Sequence, residues 1–475
     1  MENGIEAGAL AGRPLFFCGI GGSGMLPLAQ IAHGLGHPVA GSDRSRDQGR
    51  TPEKFRWLEN HGFALFPQDG SGVTSSDQIL IASAAIEDTI PEVARARELG
   101  CERLSRAELL SALFNDAGFS IAVGGTSGKS TVTGMIAWIL HECGYDPTVM
   151  NGAVMKNFAS AENPFASARI GRGNLFVSEV DESDGSIALY RPTVGVLLNV
   201  SLDHKSIEEL RVLFGNFVAS AGSAAINLDS PEAGWLAPRA RECVTFAIDN
   251  QSADITIEPG SIDQSELGIR TAVIDNRKRE AFPLVLPVPG LHNLSNALAA
   301  IAAASAAGID VGKATYALRS FAGLARRFDV IGTSAAGIPV IDDFGHNPEK
   351  CAATLRTLRA TEGRVIAFFQ PHGYGPLRQM GDELAETFAR ELGPEDITIL
   401  SDPVYFGGTV DRSIGSERIV ALINAAGGHA EHIPAREDCG ARIAALARPG
   451  DRIVVMGARD DTLAEFAQSI LVRLP

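Results

Sequence analysis

The sequence predicts an α/β protein of three doubly wound units, and three observations carry that prediction. Apolar runs of strand length alternate with helical patterns along almost the whole chain, as parallel strands joined by helices require. Two of those runs, "LFFC" and "SIAV", lead straight into glycine-rich turns that open helices. At 475 residues the chain exceeds what one hydrophobic core serves, and about three domains is the natural count.

Taken in order, "LFFCGIGGSGMLPLAQIAHGLGHPVAGSD" (15–43) reads as strand, glycine turn, helix and second strand. "QILIAS" (78–83) is another short apolar run, and "IPEVARARELG" and "RAELLSALFN" carry the helical period. This βαβ-type unit ends near residue 117. A second unit begins with the strand "FSIAVGG" (119–125), with further strands at 174–180 and 193–200 and a helix over 206–219. From about 243 to 288, short alternating runs such as "ADITIEP" and "LGIRTAVID" predict antiparallel strands appended to a parallel sheet. "GLHNLSNALAAIAAASAAG" (290–308) is an alanine-rich helix. From about 329, the strands "IPVIDDF", "RVIAFFQ", "DITILSD" and "DRIVVMG" alternate with helical patterns. The predicted domains are 1–117, 118–328 and 329–475.

Charge and cysteine usage narrow the function. A net charge of −16 argues against a nucleic-acid partner, which selects a basic face. The six cysteines form no CxxC and have no zinc spacing, so they read as buried thiols in a reducing cytosol. "MENGIEAGALAGRP" lacks the basic region and apolar run of a signal peptide, and no run of about 18 apolar residues offers a membrane span. A cytoplasmic protein is expected.

The chemistry concentrates at strand ends. "GIGGSG" (19–24), with Asp43 closing the next strand, satisfies the G-x-G-x-x-G fingerprint. Glycines allow close backbone approach and the helix start attracts a diphosphate, so either a dinucleotide or a nucleotide sugar suits it. "GGTSGKST" (124–131) follows a strand and opens a helix, as a phosphate loop does, although Val123 stands where the common pattern has its first glycine. Its Lys129 would reach terminal phosphates and its Ser130 hydroxyl a magnesium ion. "SEVDESDGS" (178–186) crowds Glu179, Asp181, Glu182 and Asp184 at a strand end, where cations must offset the repulsion. "LNVSLDH" (198–204) adds Asn199, Asp203 and His204. "GLHNLSN", "ARRF" (325–328) and "DDFGHNP" (342–348) bring His292, Asn293, Asn296, a pair of arginines, and acids beside His346. Helix capping and a charged hinge are the plain readings of the first two.

In this order, the motifs resemble the ATP-dependent Mur ligase family, and the likeness spans nearly the whole chain. "GTSGKST" (125–131) fits that family's phosphate loop G-T-x-G-K-[ST]-T, one residue shorter than the common form. The resemblance implies a Rossmann-like UDP-binding N-terminal domain, a P-loop ATPase central domain with added antiparallel strands, and a Rossmann-like C-terminal domain that closes and brings the amino acid. It assigns "GIGGSGM" to a UDP-sugar rather than to a nicotinamide cofactor. It implies two-step ligation: ATP phosphorylates a muramate carboxylate and an incoming amine displaces phosphate, in peptidoglycan precursor synthesis. ATP and Mg²⁺ are the expected cofactors. The expected partners are a UDP-N-acetylmuramate-type sugar and an amino acid or short peptide, acting on a monomer or homodimer.

By the match, Gly125, Thr126, Ser127, Gly128, Lys129, Ser130 and Thr131 cradle ATP, with Asn293, Asn296, Arg327, Asp343 and His346 as further contacts. Lys129, Glu179, His204 and Arg327 form the catalytic set, and Ser130, Glu179 and His204 would hold the metal. Gly19, Gly21, Gly22, Ser23 and Gly24, with Ser42, Asp43 and Ser83, would bind the UDP-sugar. His372 and Arg378 would bind the acceptor. No lysine occurs between Lys205 and Lys278, which fits the alanine-adding and tripeptide-recycling branches, neither of which has the carbamylated lysine of the later-acting ones.

Several positions depart from the alanine-adding pattern. Ser127 and Asn347 stand where histidines are usual. "QPHGYGPLR" (370–378) has Gly373 and Pro376 in place of arginines, "YFGGTVDRS" (405–413) is unlike the expected stretch, and "GARDD" (457–461) replaces G-A-G-[ND]. Either another cation takes the acceptor's carboxylate or the acceptor itself differs, as in the recycling branch or a paralogue outside peptidoglycan synthesis.

Overall fold

Three sheets organise the chain in the computed structural model, which describes residues 7–10, 12–83, 86–201, 205–265, 268–404, 411–460 and 462–475. The first sheet contains β1 (Leu15–Cys18), β2 (Val39–Ser42), β3 (Ala64–Phe66), β4 (Ile79–Ala82) and β5 (Glu102–Ser105), in the order β3-β2-β1-β4-β5. All its neighbours run parallel. Every residue of β1 and β4 is buried, as a parallel strand covered on both faces demands. Strand β5 is the polar "ERLS", whose lack of an apolar run hides it from the sequence pattern.

The second sheet comprises β6 (Phe119–Gly124), β7 (Thr148–Met150), β8 (Ala168–Arg169), β9 (Leu175–Glu179), β10 (Val194–Leu197), β11 (Ser223–Asn227), β12 (Cys243–Phe246), β13 (Ile255–Ile257), β14 (Asp263–Ser265), β15 (Gly268–Asp275) and β16 (Glu280–Leu286). Its order is β14-β15-β13-β12-β11-β10-β6-β9-β7-β8, and β16 pairs with β15. The predicted antiparallel strands are present, with β13 and β14 each pairing antiparallel to β15. The stretch opens on parallel pairing, of β12 to β11 and of β13 to β12. Their shortness mimics a hairpin pattern, but the direction is set by pairing that the local sequence does not record. The helix expected over 206–219 is Ile207–Ser220, started by a capping box between Ser206 and Glu209.

The third sheet holds β17 (Asp329–Thr333), β18 (Pro339–Asp343), β19 (Val365–Gln370), β20 (Ile397–Leu400), β21 (Ala430–His432) and β22 (Arg452–Gly457), in the order β17-β18-β22-β19-β20-β21. Only the edge strand β17 is antiparallel. By contact density the chain forms two compact units. One comprises Met1–Pro259, Ala272–Leu284 and Ser295–Phe321; the other comprises Gly260–Thr271, Val285–Leu294 and Ala322–Pro475. Within the first unit, the Phe114 ring packs edge-on against Phe176 and Tyr190, so its two sheets share one apolar cluster. The six cysteines are free thiols, and among the described residues no helix is long and apolar enough to cross a membrane.

Candidate active site

Strand β6 lies between β9 and β10, so groups from three adjacent strand ends meet at the carboxyl edge of the sheet. The loop after it turns on Gly125 at φ +142° and Gly128 at φ +85°, both conformations that favour glycine. At Gly128 a Cβ would stand 2.6 Å from the Asn296 side-chain oxygen, which places Asn296 against the loop. The helix Lys129–Glu142 starts there, with Ser130 and Thr131 in its first turn. Lys129 Nζ donates to the Gly125 carbonyl and to Glu182 Oε2, both at 2.7 Å, and the Glu182 side chain is only 6% exposed. The Ser130 hydroxyl donates to Glu179 Oε2 at 2.6 Å. Hydroxyl and carboxylate oxygens are the hard donors that Mg²⁺ takes, so the pair fits that ion.

Asn199 secures the loop from the end of the neighbouring strand. Its Oδ1 accepts from the Thr126 hydroxyl at 2.7 Å and the Ser127 amide at 2.9 Å, while its Nδ2 donates to the Ser127 carbonyl at 3.1 Å. Gly152 leaves room for the Glu179 carboxylate: a Cβ there would stand 2.2 Å from Oε1 and 3.2 Å from Ser130 Oγ. Burial raises the Asp181 carboxyl, but hydrogen bonds from Ser183 and the charges of Lys129 and Arg106 bring it below its ordinary range. Asp203 and His204 lie outside the described residues.

The first glycine loop is similarly built. Gly19 has φ +78°, and a Cβ on Gly22 would crowd the Gly19 carbonyl at 3.3 Å. Gly24 caps the helix Met25–Gly34. Asp43 accepts from the Gly21 amide and the Ser45 amide, each at 2.8 Å, so the residue that the fingerprint offers to a ribose also fastens the loop. The Ser42 hydroxyl is buried and donates to Glu92 at 2.8 Å. Ser23 and Ser83 are exposed.

In the second unit the "RRF" and "DDFGH" segments hold each other. Arg326 and Phe328 adopt left-handed φ of +60° and +48°, the Phe344 amide donates to the Arg326 carbonyl, and the Phe328 amide donates to Asp343 Oδ2. Asp343 also accepts from Gly345 N and Thr354 Oγ1, which makes it an organiser of this loop. Arg327 lies over the Phe344 ring at 4.3 Å. Arg326 faces buried Asp342 at 3.4 Å without hydrogen-bond geometry, and burial leaves the Asp342 carboxyl raised to about 6 despite that charge. His346 Nδ1 donates to the Phe344 carbonyl at 2.9 Å, leaving Nε2 as an acceptor. Burial, with Lys350 nearby, lowers His346 to about 3; burial, with Arg459, lowers His372 to about 4. The two rings stand 5.2 Å apart. Arg378 is committed to Asp411, through its carboxylate at 3.2 Å and its carbonyl at 3.1 Å. Gly373 and Pro376 fall at the N-cap and in the first turn of the helix Tyr374–Glu391. Asn293 Nδ2 donates to the Pro289 carbonyl at 2.7 Å.

The sequence placed Asn199 and Glu182 among the strand-end groups without giving either a role, and it gave no sign of Gly152. Asn199 and Glu182 stood in the quoted motifs, but which side chain meets which loop atom is a tertiary choice. Gly152 carries no motif signal, and only its closeness to Glu179 reveals it.

Residues 15–117 match the Mur ligase family catalytic domain, 123–304 the Mur ligase middle domain, and 326–459 the Mur ligase glutamate ligase domain. The chain is 36% identical over 463 residues to the UDP-N-acetylmuramate–L-alanine ligase of Agrobacterium fabrum, covering 94% of each chain. It is 34% identical over 460 residues to the enzyme of that name from Pelotomaculum thermopropionicum, covering 94% of this chain and 95% of the other. In fold it is similar to the crystal structure of a UDP-N-acetylmuramate–alanine ligase from Thermotoga maritima, with TM-score 0.79, 24% identity and coverage of 97% and 99%. A murein peptide ligase from Psychrobacter arcticus gives TM-score 0.69 at 25% identity, with coverage of 97% and 98%.

Proposed function

The chain belongs to the Mur ligase family, and on that premise we propose that it joins L-alanine to the carboxylate of UDP-N-acetylmuramate at the expense of ATP. The reaction would serve peptidoglycan precursor synthesis in the cytoplasm. The observation that carries this reading is the phosphate loop with Lys129 and the Ser130–Glu179 pair on one strand edge. The named relatives, matched over nearly the full length, supply the substrate class. The domains are proposed as 1–117 for the nucleotide sugar, 118–328 for ATP and 329–475 for the amino acid.

Ligation proceeds in two steps. The muramate carboxylate attacks the terminal phosphorus of ATP, giving an acyl phosphate and ADP. The alanine amine then attacks the acyl carbon, phosphate leaves with the bonding pair, and the amine loses a proton to give the amide. The loop amides and Lys129 stabilise charge on the phosphoryl group, so catalysis is positioning and electrostatics. Ser130 and Glu179 would hold Mg²⁺, together with His204 by resemblance, and that ion would neutralise phosphate charge. Arg327, His346, Asn293 and Asn296 are proposed as further ATP contacts, while Asp343 acts through the loop it organises. The first glycine loop would take the UDP diphosphate on its amides.

The test is phosphate release by the purified protein with Mg-ATP and UDP-N-acetylmuramate. L-alanine, other amino acids and the L-Ala-γ-D-Glu-diaminopimelate tripeptide are supplied in turn, with mass spectrometry of the product. Turnover with L-alanine is expected. Turnover only with the tripeptide would reassign the acceptor, and none with any amine would remove the ligase reading.

A further inference from the structure

The turn after β22 is held from several sides. Arg326 donates to the Gly457 carbonyl at 2.8 Å and to the Asp460 carbonyl at 2.9 Å. The Asp460 carboxylate accepts from Gln370 Nε2 at 2.8 Å, Arg436 Nη1 at 3.0 Å, and the Thr462 amide and hydroxyl at 3.0 and 2.6 Å. Between these fixed points stands Arg459, exposed, at φ +59°. An arginine is strained in that region and a glycine is not. Among the described residues Arg459 makes no hydrogen bond or ion pair, so its side chain returns nothing to the fold for the strain.

The sheet register shows what Arg459 stands beside. Strands β19 and β22 are parallel neighbours with Gln370 opposite Gly457. His372 and Arg459 therefore each lie two residues beyond one paired position, at the same sheet edge. The charge of Arg459 also contributes to holding His372 neutral. The other cation expected at this edge, Arg378, is occupied by Asp411, and Gly373 and Pro376 supply no charge.

We infer that Arg459 is the cation that binds the carboxylate of the incoming amino acid, in place of the arginines that Gly373 and Pro376 replace. The inference rests on the ligase reading above and names the specificity-determining residue of its acceptor site. A guanidinium suits a carboxylate because it can donate two parallel hydrogen bonds.

The test uses the full-length chain with Mg-ATP and UDP-N-acetylmuramate, comparing wild type, Arg459→Gly and Arg459→Lys. Glycine suits the left-handed turn, so Arg459→Gly should fold, and its melting temperature checks that. L-alanine is compared with L-alaninamide, which keeps the amine and lacks the carboxylate. In Arg459→Gly the KM for L-alanine should rise about 30-fold or more, equivalent to about 2 kcal/mol. The KM values for ATP and the UDP-sugar should stay within about threefold, activity with alaninamide should be unchanged, and Arg459→Lys should be intermediate. An unchanged KM for alanine, an equal loss with alaninamide, or a raised KM for ATP would overturn the assignment. If wild type uses another amino acid, that acid and its amide take the place of alanine in the same comparison. If wild type releases no phosphate with any acceptor, the ligase reading itself falls and takes this assignment with it.

Discussion

Replacing Gly152 by alanine tests whether the Ser130–Glu179 pair is part of the reaction. The added methyl would lie 2.2 Å from Glu179 Oε1, against an ordinary contact beyond 3.4 Å. That oxygen ends a flexible side chain, so the carboxylate must withdraw by about 1 Å while the backbone stays in place. The hydrogen bond from Ser130 is 2.6 Å long, and a bond stretched to about 3.6 Å is no longer one. A hydrogen bond to a charged group contributes about 1.5–3 kcal/mol, so kcat/KM should fall about 10- to 100-fold. The Mg²⁺ concentration for half-maximal rate should rise, because one donor of the proposed ion site has moved. Gly152 is exposed and lacks a left-handed φ, so the melting temperature should change little. Phosphate release measured across a Mg²⁺ titration decides the matter. Activity within threefold of wild type, at unchanged Mg²⁺ dependence, would refute the reasoning.

Removing Lys129 by alanine should abolish phosphate release and, by stranding the nearly buried Glu182, cost about 3 kcal/mol of stability. Adding Glu182→Gln should recover the stability in a denaturant titration but not the activity; recovery of both would deny Lys129 its catalytic part. Asn199→Ala loses three hydrogen bonds to the phosphate loop, at about 1 kcal/mol each, and should weaken binding of a non-hydrolysable ATP analogue by roughly 10- to 100-fold in calorimetry. Unchanged affinity would show that the loop holds its shape without it. For pH, His346 and His372 stay neutral in the fold down to about 3 and 4, while in the unfolded chain they protonate near 6.5. Their stability contribution is therefore complete above about pH 6.5 and lost as pH falls, by about 1–2 kcal/mol each at pH 5. Asp342, raised to about 6, acts with opposite sign and returns about 1 kcal/mol over the same interval. Denaturant titrations at pH 7.5 and 5 should show this net loss, and His346→Gln should reduce it; an equal loss in the variant would contradict the assignment.

The sequence revealed those features whose cause is local. Gly125 and Gly128 show in the sequence because only glycine suits their backbone angles, and both strands feeding the glycine loops are apolar runs. Buried β19 and β22 follow from the continuous apolar runs VIAFF and IVVM, whereas the polar β5 has no such run. The parallel direction of β12 and β13 is set by which neighbouring strand each pairs with, and the local pattern of apolar residues is the same for either direction. The same limit applies to the site. Lys129 was legible as a phosphate ligand, but its pairing with Glu182 was not, because several acids crowd that loop and only packing selects among them. Arg378 reads as a free acceptor ligand until Asp411 is seen beside it. Asp43 reads as a UDP-sugar ligand, yet both its oxygens accept from loop amides.

The contact between Gly128 and Asn296 has a consequence for synthesis of the chain. The two residues are roughly 170 positions apart, which at about 5–20 residues per second separates their emergence from a ribosome by about ten to thirty seconds. During that interval the phosphate loop can rest on Asn199, which follows it by 72 residues, but it lacks its Asn296 wall. Long-range closure of this kind is slow and comes after local structure. The complete phosphate loop therefore exists only once the chain has passed residue 296 of 475, after its first half has emerged. Newly made protein should acquire protection by ATP against proteolysis only after the helix Leu291–Ala306 has left the ribosome.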